Sequence, residues 1–267
     1  CIRDRYGEEQ PTKAAEAVSL ILSSAVVLDP DSVEVRTSLV ALRLYFQWDF
    51  RAAEVEIQRA LAISANDPIT HLAHADLLTV TGRPREAVAA MRKAVRLDPL
   101  DPGMQMNLAE RLFSVGRHEE GIETYLEIIS RFPGFSPGRA RLALCYATLG
   151  RSDEALAVLD ELPDRPLSAH SLANRIITLA MTERTSQAEH LLADLEAEAR
   201  DRYVPAYQIA RAKTSLGDAT GAIEELERAV AARDCFVIFS AGDPILAPLC
   251  DRPEFHNILQ RIGLSGI

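Results

Sequence analysis

Long apolar runs are missing from this 267-residue chain. The longest, residues 17–28, is about 12 residues and carries Ser19, Ser23 and Ser24, against the roughly 20 that a bilayer-spanning helix needs. No membrane helix or signal peptide is therefore expected, and the chain reads as cytoplasmic with no membrane partner. Cysteine is scarce and unpaired. Cys1, Cys145, Cys235 and Cys250 show no CxxC spacing, which leaves out a zinc knuckle and a dithiol redox motif and favours a reducing compartment. Basic residues are the minority, with Lys+Arg 29 against Asp+Glu 39 and a formal charge of −10. No Lys/Arg run is long enough to follow a phosphate backbone, so nucleic acid is not an expected ligand. The negative balance suits a neutral or basic partner and equally serves solubility. Gly-rich phosphate loops, GxSxG elbows and HExxH helices are all absent, and neither an enzyme nor a cofactor is expected. Aromatics make up 6%, and Gly 13 with Pro 14 is too little for a disordered chain.

What is present is a repeat. Gly82-Arg83-Pro84-Arg85-Glu86-Ala87 returns as Gly116-Arg117-His118-Glu119-Glu120-Gly121 and as Gly150-Arg151-Ser152-Asp153-Glu154-Ala155, a step of 34 each time. The register continues backward to Trp48 and forward to Glu183 and Gly217, giving six bends. Apolar residues at i, i+3, i+4 and i+7 precede and follow each bend, as in Ala87, Val88, Met91, Ala94 and Val95, so each bend joins two helices. Seven residues before the bends stand Ala41, Ala75, Ala109, Ala143, Ile176 and Ala210, and just after them Ala53, Ala87, Gly121, Ala155, Ala188 and Ala222. Small side chains at both places let paired helix axes approach closely. A bend glycine takes the left-handed conformation that ends a helix. Trp48 and Glu183 lack that freedom, so those two turns are expected to be built differently. Pro30, Pro99, Pro133 and Pro163 mark helix ends.

Small residues, bend glycine and terminal proline in one register resemble the tetratricopeptide repeat over about residues 12 to 233. The resemblance implies an all-α, right-handed superhelical solenoid of helical hairpins with a C-terminal capping helix. Tyr146 stands where the family commonly has tyrosine, while Leu44, Leu78 and Leu112 occupy the equivalent places. The implied organisation is an array over 1–234, with a lone helix at about 12–28 and hairpins bending near 48, 82, 116, 150, 183 and 217, followed by a linker and capping helix over 235–267. The lone helix reads as the second of a unit whose first helix is truncated within residues 3–10. The fifth unit is irregular, one residue short and preceded by Leu162-Pro163-Asp164-Arg165-Pro166. At the end, Asp251-Arg252-Pro253-Glu254 opens a helix whose apolar face is Phe255, Ile258, Leu259 and Ile262. Asp243-Pro244-Ile245-Leu246 with that segment, and Trp48-Asp49 in the first bend, resemble the repeat arms of bacterial cytosolic winged-helix regulators and class III adenylate cyclases.

Candidate chemistry is thin. His71 and His74 lie three apart near Asp76, a spacing compatible with metal, yet their register points them at a neighbouring helix and no metal site is expected. His118-Glu119-Glu120 fits an exposed bend, and Glu224 with Arg228 an ordinary helix-face pair. Cys145 reads as a buried inert thiol. The family resemblance instead implies a concave face that binds a protein or peptide segment. Carried over residue by residue, its contact places are Ser38, Leu42 and Tyr45; Leu72, Asp76 and Thr79; Met106, Glu110 and Phe113; Ala140, Leu144 and Ala147; Ala173 and Ile177; and Tyr207 and Arg211. Only Arg211 is of the cationic kind that clamps chaperone tails, so that ligand is not expected. The expected function is thus a non-catalytic interaction or regulatory arm of a bacterial cytosolic signalling protein. One rival is homodimerisation through the N-terminal end, driven by Val18, Leu22 and Val26. Another places Cys1 as the lipid-modified first residue of a periplasmic lipoprotein.

Overall fold

The computed structural model describes residues 11–163 and 167–264, with the side chains of Lys13 and Ala14 excepted. Cys1, residues 3–10 and residues 164–166 lie outside the described residues. Among the described residues a single helix α1 (Pro11–Leu28) precedes six helical hairpins. They are α2 (Val33–Ala41) with α3 (Phe50–Ile63), α4 (Pro68–Val80) with α5 (Pro84–Leu97), and α6 (Pro102–Ser114) with α7 (His118–Arg131). Then come α8 (Ser136–Thr148) with α9 (Ser152–Asp160), α10 (Ala169–Met181) with α11 (Thr185–Asp201), and α12 (Ala206–Ser215) with α13 (Ala219–Ala231). Two 3-10 segments, Val237–Gly242 and Pro244–Leu249, lead to α14 (Pro253–Arg261). Described residues form no strand.

The helices begin where the sequence supplies caps. Asp67 Oδ2 accepts from Thr70 N–H at 2.7 Å and Asp101 Oδ1 from Gly103 N–H at 2.8 Å, each followed by a proline whose missing N–H costs nothing in the first turn. They end in one repeated backbone motif. The residue after each bend donates its N–H back to a carbonyl five residues earlier: Arg83 to Leu78 (2.7 Å), Arg117 to Leu112 (2.9 Å), Arg151 to Tyr146 (2.9 Å), Arg184 to Leu179 (2.8 Å) and Asp218 to Lys213 (3.0 Å). This motif needs a positive φ at the bend residue, and Gly82, Gly116, Gly150 and Gly217 supply it at 71 to 84°. Trp48 (φ 58°) and Glu183 (φ 62°) take the same conformation without being glycine, which corrects the expectation that their turns differ. What does differ at the first bend is the helix before it. Residues 42–47 form a π turn, and Asp49 N–H reaches one residue further back, to Arg43 O at 2.9 Å.

The small-residue register is the packing register. Ala75, Ala109, Ala143, Ala210, Ala53, Ala87, Ala155, Ala188 and Ala222 have no exposed surface. Gly121 shows how tight the approach is: a Cβ there would stand 3.1 Å from the Ala109 carbonyl oxygen across the α6–α7 pair.

The array does not stay open. One core cluster joins Val40, Leu44, Leu77 and Val80 of the first two hairpins to Leu226 and Val230 of the last, through Val237, Ile238, Leu246 and Leu249 of the tail. Helix α14 packs on α13 and adds Phe255, Ile258 and Ile262 to the same core. Its far end reaches the first bend, where a Cβ on Gly263 would meet the Phe50 ring at 3.5 Å. The tail therefore runs along the inner side and ties the last hairpin to the first. Burying those four fully covered tail aliphatics contributes on the order of 1.5–3 kcal/mol each.

Helix α1 sits outside this closure. Leu22 is buried and Val18 and Val26 half-buried against the array, so the residues expected to drive self-association face inward, a correction. The outward face carries Leu20, Ile21, Val27 and Leu28, between 67 and 84% exposed. α1 is apolar on both sides, and sequence alone offered no polar stripe to tell them apart.

Candidate partner-binding face

The first helix of each hairpin lines the inner side, and on it the sequence places two polar chains between apolar patches. The N-terminal chain starts at Tyr45, whose hydroxyl donates to Asp76 Oδ2 at 2.5 Å. Arg111 pairs with the other oxygen of Asp76, and lies 3.6 Å from Glu110. Glu110 in turn accepts from Arg141 Nε at 2.6 Å. Burial pushes the Asp76 carboxyl above its ordinary range, opposed by Arg111 and the Tyr45 hydroxyl. Burial works against the charge of Arg141, and Glu110 outweighs it, so that guanidinium is held more firmly protonated than usual. A buried charge chain of this kind is stable only because every member has a partner.

The C-terminal chain runs from His170 to Asp243. Gln208 Nε2 donates to His170 Nδ1 at 3.0 Å, and burial, with Arg141 and Arg211 nearby, depresses the imidazole well below its ordinary value, so it accepts as the neutral ring. Arg211 Nη1 donates to Asn174 Oδ1 and Gln208 Oε1, both at 3.0 Å. Its Nε donates to Asp243 Oδ2 at 2.7 Å, where the Tyr207 hydroxyl also donates at 2.7 Å. Burial raises the Asp243 carboxyl, but Arg211, Tyr207 and the Ile245 N–H together hold it below the usual range. The tail touches this face at two more places. Ile245 closes a small apolar slot with Leu144 and Ile177, and the Arg111 guanidinium lies 5.7 Å from the Phe239 ring.

Of the residues expected on the concave face, Leu42, Tyr45, Asp76, Leu144, Ile177, Tyr207 and Arg211 are buried by the protein's own packing, as are Ala140, Ala147 and Ala173. Ser38, Leu72, Thr79, Met106, Glu110 and Phe113 keep partial exposure. Thr79 donates back to Ala75 O at 2.8 Å, and Phe113 packs against His118 with the rings tilted by 35° and centroids 4.5 Å apart. Sequence reasoning did not place Arg111, Arg141, His170, Asn174, Gln208 or Asp243 on this face, and named Asp243 only in the tail motif. The Asp76–Glu110 step of 34 was the signal for the first chain; the second depends on the tail's return, which leaves no periodic trace.

Other candidate groups are structurally engaged. His71 Nε2 donates to Ala65 O at 3.0 Å, while partial burial, then His71 and Arg83, lower the His74 pKa. Burial pushes the Cys145 thiol up to about 12, an unreactive state. Among the described residues no group of three His, Cys, Asp or Glu is placed to hold a metal, and no helix is long and apolar enough to cross a membrane.

Comparison with known proteins agrees with this architecture. Family models described as tetratricopeptide repeat match residues 72–136 and 137–161. The "TPR repeat-containing thioredoxin TTL4" of Arabidopsis thaliana is 33% identical over 87 residues, 32% of this chain; the chain spans only 13% of that relative's length. Among solved structures, PilW, a widely conserved type IV pilus biogenesis factor, superposes with a TM-score of 0.54 at 16% identity, over 81% of this chain and 97% of its own. A thermophilic TPR protein of Thermus thermophilus superposes at 0.50 with 21% identity, over 66% of this chain and 98% of its own. At such identities the likeness concerns the fold. Hairpin geometry, bend motif and superposition agree on an all-α, right-handed solenoid of helical hairpins, and over residues 72–161 the chain matches the tetratricopeptide repeat.

Proposed function

We propose that the chain is a non-catalytic protein-interaction module that holds a segment of a partner protein along its concave face. One observation carries the reading: this face already grips an irregular stretch of chain by side-chain chemistry, with Arg211 and Tyr207 on Asp243 and Leu144 and Ile177 around Ile245. Leu72, Thr79, Met106 and Phe113 are the partly exposed places where a partner segment meets it. The tail motif around Asp243-Pro244 supports a finer reading, a regulatory arm of a bacterial cytosolic transcription regulator or adenylate cyclase. A photo-crosslinking residue at Met106 or Phe113 is expected to capture a partner that the same residue at Leu126, an exposed position on α7, does not. Adducts at Leu126 alone would overturn the reading.

A second reading rests on α1. Its outward stripe of Leu20, Ile21, Val27 and Leu28 exposes roughly 500 Å², the scale at which apolar patches mark contacts. On this reading the protein is a dimer at micromolar concentration, and Ile21→Gln with Leu28→Gln makes it a monomer without loss of helicity. A wild-type protein that sediments as a monomer throughout that range removes it.

A further inference from the structure

Three arginines lie along the inner face, and they differ in where their counter-charges come from. Arg111 is paired by Asp76 and Glu110, and Arg141 by Glu110, all from the array itself. Arg211, only 3% exposed, has neutral acceptors within the array, Asn174 and Gln208. Among the described residues the one carboxylate at ion-pair distance from it is Asp243, which belongs to the tail. A buried guanidinium without an anion is strongly unfavourable, so this place on the array demands a carboxylate whenever the tail's is elsewhere.

The segment that delivers Asp243 is built to be exchanged locally. Among the described residues its backbone hydrogen bonds stay within the tail, apart from those made at Asp234 by its own N–H and carboxylate, so side chains alone fasten the corner to the array. Gly242 precedes Asp243 with no atom within 4 Å of where a Cβ would sit, and Pro244, Ala247 and Pro248 are exposed. The firm anchors stand on either side, Val237 and Ile238 before the corner and Leu246 and Leu249 after it, all without exposed surface. Residues 241–245 can therefore lift while the closure of the array persists.

We propose that Arg211, Tyr207, Leu144 and Ile177 form a peptide-binding site for an acidic residue followed two positions later by an aliphatic one, and that Asp243-Pro244-Ile245 is its resident occupant in cis. The carboxylate is received by Arg211 Nε and the Tyr207 hydroxyl, with Asn174 and Gln208 holding the guanidinium in place. The aliphatic side chain fills the slot between α8 and α10. A partner segment of this chemistry enters by replacing equivalent contacts with its own, so exchange trades like for like. This deepens the reading of the concave face as a partner site and rests on it.

The probe is a synthetic peptide of residues 240–249, blocked at both ends, and the same peptide with Asn in place of Asp. Full-length Asp243→Asn protein, whose corner no longer satisfies Arg211, is expected to bind the Asp peptide at least about tenfold more tightly than wild type does, and to prefer it to the Asn peptide by a similar factor. Arg211→Gln added to that variant is expected to abolish the preference. Hydrogen exchange should show residues 241–245 opening in Asp243→Asn while α8, α10 and α12 stay protected. If the unpaired Arg211 unfolds that variant, Ile245→Ala, which empties the slot and leaves no charge unpaired, takes its place. A folded variant that fails to discriminate the two peptides, or whose corner remains as protected as wild type, overturns the proposal. Photo-crosslinking at Met106 and Phe113 reads partner docking independently, so a site that refuses this peptide and a face that binds no partner give different results.

Discussion

The guanidinium of Arg233 lies 3.9 Å from the centroid of the Trp48 ring, joining the end of the last hairpin to the bend of the first. Both residues have positive φ, 58° at Trp48 and 55° at Arg233, a conformation costing roughly 1–2 kcal/mol for a residue with a side chain. The contact lies beside the shared core of first hairpin, last hairpin and tail, and so reports on closure of the array.

Trp48 is the sole tryptophan of the chain, which makes its emission a direct probe of that contact. Arg233→Ala is expected to shift the native emission to longer wavelength and to lower stability by about 1 kcal/mol, the scale of a partly desolvated cation–π pair. An unchanged native spectrum would show that the two ends do not meet in solution.

Glu183 and Gly116 offer an opposed pair of substitutions. Glu183 is exposed and holds φ 62° at its bend, so Glu183→Gly should raise the urea midpoint, removing strain at the smaller cost of a more flexible unfolded chain, a net gain of about 0.5–1 kcal/mol. Gly116 has φ 80° and open space around its missing Cβ, so Gly116→Ala should lower stability by about 1 kcal/mol through backbone conformation alone. Midpoints moving in the same direction for both would refute the shared bend geometry.

The bends at Trp48 and Glu183 show what could be read from sequence. The repeat put a bend 34 residues before Gly82 and another 33 after Gly150, but residue type argued against Trp48 and Glu183 adopting the glycine conformation that they hold. Spacing was the better guide, because the hydrogen bond closing each helix acts on whichever residue occupies the place. Alanines in register were legible for the same reason: they pack against residues nearby in the chain. The tail's path was not. Arg211 meets Asp243 and Trp48 meets Arg233 across separations that no periodicity records, and a concave face read as open proved to be partly filled by its own chain. Asn174 and Gln208 take their role from Arg211, whose Nη1 donates to both.

Asp234 provides a test through pH. Its side chain is fully buried between the last hairpin and the tail, accepting from Tyr207 N–H at 3.1 Å and Phe236 N–H at 3.0 Å. Burial outweighs those two bonds and raises its pKa from 3.8 to about 6. A folded-state pKa above the unfolded one means the native protein binds the proton more tightly, so this group's contribution is fully present below about pH 4 and is lost as pH rises through 6. The difference is on the order of 3 kcal/mol for a carboxyl moved that far. His170 acts with the opposite sign, its depressed pKa favouring the fold above its ordinary value and withdrawing that support as pH falls, and Asp76 is raised while Asp243 is lowered, so the raw profile mixes several groups. The comparison that isolates Asp234 is wild type against Asp234→Asn, an uncharged isostere that keeps one acceptor oxygen. Measured by urea unfolding from pH 4 to 7, wild type is expected to lose stability relative to the variant as pH rises, with the midpoint of the difference near 6. Parallel curves across that range would mean that this carboxylate is not held away from water where the tail leaves the last hairpin.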